Sequence, residues 1–263
     1  MNELKGWMAR GDNALIVDYL PTDHSRQSDS LREATRVLQT FPPAQDVLIV
    51  DLGCGVGSSF DVFRWQHANV RWIGLDIERS PEVDTRTRTD VEFLTYDGVH
   101  IPLADQSVDI VYSRQVFEHV RHPQVLIEEV HRVLKQDGIF VGSTSHLEPF
   151  HSRSYWNYTP YGFCVLLRDA SFRSILVRPG IDSLTLISRR WLQYLRLAAL
   201  LEPFFTIESP ANFFLEAALL LLGQSTERRN AFKLLFAGQF CFFGRKHTSQ
   251  ELVANNINVV TQS

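Results

Sequence analysis

With 263 residues, the chain can bury one sizeable core with an elaboration but is short for two independent domains. Hydrophobic residues make up 44% and charged residues 21%, which excludes a disordered or fibrous chain. The formal net charge of −4 gives no electrostatic basis for binding nucleic acid, and no such partner is expected.

Residues 1–45 read as a helical lead-in whose last helix, residues 31–41, is stopped by Pro42 and Pro43. Val47-Leu-Ile-Val50 opens a first strand, because four apolar residues in a row suit a parallel strand covered on both faces. A helix over 58–66 follows, then strands over 70–75 and 91–96 that end at Asp76 and at Asp97-Gly98. A fourth strand is expected over 108–112. The helix after it, 123–134, puts Val125, Leu126, Val130, Val133 and Leu134 on one face. Gln136-Asp137-Gly138 reads as a turn into a fifth strand over 139–142. A helix over 160–170 is expected to be capped by Thr159 with Pro160 as its first residue, and a sixth strand covers 175–178. This alternation predicts an α/β fold with a doubly wound, mostly parallel sheet and right-handed crossovers over a core spanning 46–180. Residues 181–237 are an apolar, helix-rich insertion, and 238–263 hold the last strand, expected over 239–246, and a tail.

Residues 187–236 are unusually apolar, with Arg189, Arg190, Arg196, Arg228, Arg229 and Lys233 among them. The helix running through 213–223 would extend only ~17 Å, short of the ~30 Å hydrocarbon core of a bilayer. The stretch therefore reads as an acceptor cap, a dimer interface or a peripheral membrane contact, with the oligomeric state open. The three cysteines are far apart and the N-terminus lacks a signal peptide's apolar core, so a reducing, cytoplasmic setting is expected.

The turn after the first strand carries the chemistry. Asp51 is followed by Gly53, Gly55 and Gly57, so a ligand can approach the backbone and meet the free N–H groups of the next helix. The G-x-G-x-G spacing puts Ser58 where a dinucleotide fingerprint needs its third glycine, and no lysine follows as a P-loop requires. Asp76, Asp97 and Ser113 lie at successive strand ends, where ligands of such sheets bind.

Asp-x-Gly-x-Gly-x-Gly resembles motif I of the class I S-adenosylmethionine (SAM) dependent methyltransferases. The resemblance extends over 46–145, through Ile101–Ser113, Arg114-Gln-Val-Phe-Glu-His-Val120 and the Glu-Glu-Val-His-Arg-Val-Leu-Lys-Gln-Asp-Gly turn. It is to the branch that modifies small molecules, sugars and lipids, and it implies a seven-stranded sheet with an antiparallel last strand and SAM as cofactor. The resemblance assigns Asp51 and the three glycines to the methionine part, Asp76 to the ribose, and Ile77 to the same cofactor site. It assigns Asp97 and Gly98 to the adenine, and Ser113 to the same site. Some related methyltransferases bind a divalent ion through Glu-x-x-Glu-His and a further histidine. Gln115 stands in place of the first Glu here, so no metal is expected, and Glu118 and His119 are read as capping the loop beside the cofactor.

On the acceptor side, Pro149–Phe163 is dense in aromatic and hydrogen-bonding groups. His151 is the candidate general base, because imidazole titrates near neutrality. The expected activity is methyl transfer to a small-molecule, sugar or lipid-linked acceptor, most simply at oxygen. The alternative is a catalytically silent SAM-binding regulator or scaffold of the same fold.

Overall fold

A computed structural model describes residues 14–194 and 209–247, so part of the apolar 187–236 stretch lies outside the described residues, as do 1–13 and the tail. Seven strands form one sheet in the order β3-β2-β1-β4-β5-β7-β6. They are β1 (Val47–Leu52), β2 (Val70–Ile77), β3 (Glu92–Tyr96), β4 (Val108–Arg114), β5 (Leu134–Ser145), β6 (Phe172–Pro179) and β7 (Gln239–Lys246). β1 to β5 run parallel, and β7 lies antiparallel between β5 and β6.

Helices cover both faces. α1 (Ala14–Val17), α2 (Ser30–Leu38), α3 (Ser59–Gln66) and α4 (Pro81–Asp84) precede β3, and α5 (Pro123–Val133) and α6 (Pro160–Asp169) follow β4 and β5. One core layer packs Ala34, Val37, Leu38 and Phe63 from α2 and α3 on Ile49, Ile110 and Val141. The other packs α5 and α6, through Leu126, Val130, Phe163 and Leu167, on Val50, Leu75, Phe140 and Phe242. Burial on both faces is why β1 and β4 read as unbroken apolar runs.

Strand expectations hold closely for β1 and β7, and α6 begins as expected, with Thr159 Oγ1 accepting from Gly162 N at 3.0 Å. Two readings change. Gln136-Asp137-Gly138 is a bulge inside β5 and makes no turn ahead of it. Val108 pairs with Leu134 and Ile110 with Ile139, and Asp137 adopts φ +61°. A strand with extra residues can stay in its sheet by bulging, and Lys135 fixes this one by an ion pair with Asp109 at 2.8 Å. The helix expected over 31–41 ends at Leu38, where Thr40 Oγ1 bonds Val37 O at 2.7 Å.

The insertion holds α7 (Ser183–Tyr194), α8 (Pro210–Leu221) and α9 (Thr226–Leu235). It is pinned to the lead-in by buried polar groups. Asn230 Nδ2 donates to Pro21 O at 3.0 Å and to His24 O at 2.9 Å, and Lys233 Nζ to Ser25 O at 2.9 Å. Asn212 Nδ2 donates to Gln27 Oε1 and Gly180 O. The outer faces keep large apolar groups exposed, including Leu184 and Trp191 on α7 and Phe214 and Leu221 on α8. Among the described residues, no helix is long and apolar enough to cross a membrane.

Candidate active site

The carboxyl ends of β1, β2 and β4 converge at the glycine turn. Gly53 N and Cys54 N donate to Leu75 O at the end of β2, at 2.7 and 3.3 Å. Gly55 N donates to Asp76 Oδ2 at 2.8 Å, so the turn and the β2 acid form one unit. The glycines differ in function. A Cβ on Gly53 would meet Val116 Cγ2 at 2.2 Å, whereas one on Gly55 would find nothing nearer than Glu82 Cβ at 3.4 Å. Gly53 is demanded by the protein's own packing. Gly55, at φ +52°, meets no such clash, which leaves its backbone approachable by a ligand.

Asp51 is buried, and its carboxylate is hydrogen-bonded by Ser59 Oγ, which also accepts from Trp72 Nε1 at 3.1 Å. Burial pushes Asp51 up to about 7, against the opposing Ser59 bond. Asp97 lies in an exposed turn. Its Oδ1 accepts from Val99 N and His100 N, and its Oδ2 meets His100 Nδ1 at 2.8 Å. The His100 bond and these backbone donors hold its carboxyl down at about 2. Ile77, 42% exposed, presents an apolar surface at the end of β2, and a Cβ on Gly98, at φ +86°, would meet only the Ile77 Cγ2 at 3.8 Å. Ser113 is fully buried at the end of β4, and its Oγ has no hydrogen-bond partner.

The sequence reading missed two arginines. Arg86 Nε and Nη2 both donate to Gly55 O, at 2.9 and 2.6 Å, and its guanidinium lies 3.8 Å from the Phe93 ring centroid and 4.0 Å from Asp76 Oδ2. Arg88 Nη1 donates to Gly57 O at 2.8 Å while Nη2 grips both oxygens of Asp61. Both stand in Thr85-Arg-Thr-Arg-Thr89, where alternation in an irregular, extended segment sets the two arginines on one side.

Beyond β4 a second cluster forms. Gln115 takes φ +54°, rare for a residue with a side chain, and Glu118 follows in a short 3-10 turn, Phe117–His119. Glu118 is fully buried, accepts from Thr144 Oγ1 at 2.9 Å and Ser145 Oγ at 3.3 Å, and is raised to about 7 by burial. His151 Nδ1 lies 3.5 Å from Glu148 Oε1, and its ring packs edge-on against His119 at 5.1 Å between centroids. Glu148, also buried, is held by Ser145 Oγ at 2.7 Å, by Gln239 Nε2 at 2.9 Å and by Arg190. Sequence reasoning singled out His151 as a candidate but not the carboxylate beside it. Ligand atoms of Glu118, His119 and His151 lie within 4.8 Å of one another, a set of two imidazoles and one carboxylate that could hold a metal ion.

The residues at β1, β2 and β4 fit SAM. A Cβ added at Gly55 or Gly98 would make only ordinary contacts, Asp76 sits at the turn, and the buried Ser113 hydroxyl lacks a hydrogen-bond partner. Comparison with known proteins agrees. Residues 50–142 match the family model described as a methyltransferase domain. The chain is 33% identical over 119 residues to a Mycolicibacterium smegmatis protein described as a probable S-adenosylmethionine-dependent methyltransferase, covering 40% of this chain and 45% of that one. It is 30% identical over 145 residues to the mitochondrial arginine-hydroxylase of Rattus norvegicus, covering 53% and 38%. The chain thus spans less than half the length of these curated relatives. The solved Haemonchus contortus phosphoethanolamine N-methyltransferase 2 in complex with SAM shares the fold, with TM-score 0.54, 15% identity and coverage of 92% and 60%. Motif, fold and family match meet on the same strands: residues 50–142 are a methyltransferase domain of the class I SAM-dependent type, with SAM as its cofactor.

Proposed function

We propose that the protein transfers a methyl group from SAM to an oxygen of a small-molecule, sugar or lipid-linked acceptor. The observation that carries this reading is the bond from Gly55 N to Asp76 Oδ2, which joins the glycine turn to the acid at the end of β2. When bound, SAM supplies an electrophilic methyl on a sulfonium, and the chain's residues do the rest. In this proposal Asp76 accepts from the ribose hydroxyls and Ile77 and Gly98 flank the adenine, with Asp97 shaping the turn at its edge. Asp51 with the turn N–H groups and Ser113 receive the methionine part.

His151 takes the acceptor's proton. Its Nδ1 lies 3.4 Å from Pro149 O and 3.5 Å from the buried Glu148 Oε1, acceptors that orient the imidazole ring. Acceptor closure falls to the insertion, whose exposed apolar groups on α7 and α8 suit a hydrophobic or lipid-linked acceptor better than a free membrane face. The three cysteines are buried and unpaired, which suits a reducing, cytoplasmic setting.

The test is transfer of label from methyl-tritiated SAM to an acceptor panel of phenols, sugars and prenyl-linked alcohols. Label in product, reduced about a hundredfold in His151→Ala with SAM affinity intact, supports the assignment. SAM binding without transfer to any acceptor would favour the silent scaffold. A normal rate in His151→Ala across pH 6 to 9 would remove His151 from proton transfer.

A further inference from the structure

A cavity of about 360 Å³ lies between the start of α2, the ends of β4 and β5, the start of β7 and the first turns of α7. Its volume is in the range of small-molecule sites, and it opens where the sheet's ligands bind. The walls carry Arg32, Arg114 and Arg189 against a single carboxylate, Asp29. That carboxylate is already engaged, since Asp29 Oδ1 accepts from Leu31 N at 3.0 Å and Arg32 N at 3.3 Å as the cap of α2. The guanidinium groups of Arg32 and Arg114 make no hydrogen bond or ion pair among the described residues. They come from different elements, α2 and the last residue of β4, so no shared helix or strand face brings them together.

Two guanidinium groups lining one cavity, neither in a hydrogen bond or ion pair among the described residues, make it electropositive, although Arg114 also feels the buried Asp51, and an anion bound there relieves that excess of positive charge. The planar fork of arginine matches carboxylate and phosphate oxygens, and its charge persists at every working pH. The cavity also adjoins the second cluster of the site. Gln239 lines it while donating to Glu148, and Gln115 lines it while its amide lies against Ser143 Oγ at 3.1 Å and Ser145 Oγ at 3.2 Å. A group held there is one residue removed from the Glu148–His151 pair.

We infer that this cavity binds the anionic end, a carboxylate or phosphate, of the methyl acceptor, with Arg32 and Arg114 as the recognising cations. The anion preference stands on the cavity alone, while the ligand's identity as acceptor rests on the methyltransferase reading. A carboxylate has a second source, the methionine part of the cofactor, and the test separates the two.

The full-length protein is titrated calorimetrically with inorganic phosphate, alone and with saturating S-adenosylhomocysteine. The expected result is saturable one-site binding of phosphate that S-adenosylhomocysteine does not displace. Arg114→Gln and Arg32→Gln should each weaken phosphate about fivefold or more, Arg114→Lys should recover part of the loss, and S-adenosylhomocysteine affinity should change less than about twofold. Non-saturable phosphate binding, or equal binding by wild type and both glutamine variants, would overturn the inference. So would competition between phosphate and S-adenosylhomocysteine, with Arg114→Gln weakening SAM but not decarboxylated SAM, because the arginines would then serve the cofactor's carboxylate. Arginine-dependent phosphate binding by a protein that fails to bind S-adenosylhomocysteine would sink the cofactor reading and leave the anion site standing.

Discussion

At the scale of single residues, Asp76 holds the turn through Gly55 N and is assigned the ribose hydroxyls, so its loss should be felt twice. Asp76→Ala should weaken S-adenosylhomocysteine binding by about 1.5–3 kcal/mol, the range for hydrogen bonds to a charged group. A calorimetric loss of only a few tenths would detach Asp76 from the ribose. Arg86 should act through the turn rather than on the ligand, because both its donated bonds end on Gly55 O. Arg86→Met should therefore raise the dissociation constant about tenfold with little change in melting temperature, and Arg86→Lys should restore little, since a single ammonium cannot also stack on Phe93. Asp51, the glycines and Asp76 were legible because their backbone demands are local. Arg86 was not, because its partner Gly55 lies 31 residues away and only the fold brings the two together; Glu148 was not, because an irregular loop has no periodicity to show which side chains three residues apart will meet.

Among the elements, the 3-10 turn and β5 trap a carboxyl that ionises at a cost. Glu118 is raised by burial from 4.5 to about 7, so the folded chain keeps a proton that the unfolded chain has lost. Folding takes up that proton between about pH 4.5 and 7, and the contribution of Glu118 to stability falls as pH rises through that window and then levels off. Glu118→Gln should therefore be more stable than wild type by a few kcal/mol at pH 8 in denaturant melts, at about 1.4 kcal/mol for each tenfold change in the acid's ionisation constant, with the gap closing toward pH 5. A gap independent of pH would mean Glu118 is ionised in place. The strands themselves were readable from apolar runs, and β1 and β7 needed no adjustment. The β5 bulge escaped reading because Gln-Asp-Gly carries the chemistry of a turn, and only pairing with β4 holds it in a strand.

Across the whole molecule, the insertion is tied to the sheet through the lead-in, so the cap and the core should unfold together. Lys233 is fully buried, with Nζ 3.0 Å from Glu216 Oε2 and bonded to Ser25 O. Lys233→Met leaves Glu216 with Arg229 as its partner and Ser25 O without its buried donor, and should cost about 3 kcal/mol, with part recovered in Lys233→Met/Glu216→Gln. Two separate thermal transitions in wild type would contradict the coupling. Composition showed the insertion to be apolar and helical, but its attachment depends on Asn212, Asn230 and Lys233, polar residues that have no periodic signature. The central claim is that the open face over Gly55 receives SAM, and calorimetric titration of wild type and Gly55→Val with S-adenosylhomocysteine tests it most directly. Wild type should show one-site micromolar binding and a folded Gly55→Val protein none, because a β-branched side chain would fill the ligand's approach and strain a backbone at φ +52°. Equal affinity in the two folded proteins would contradict it.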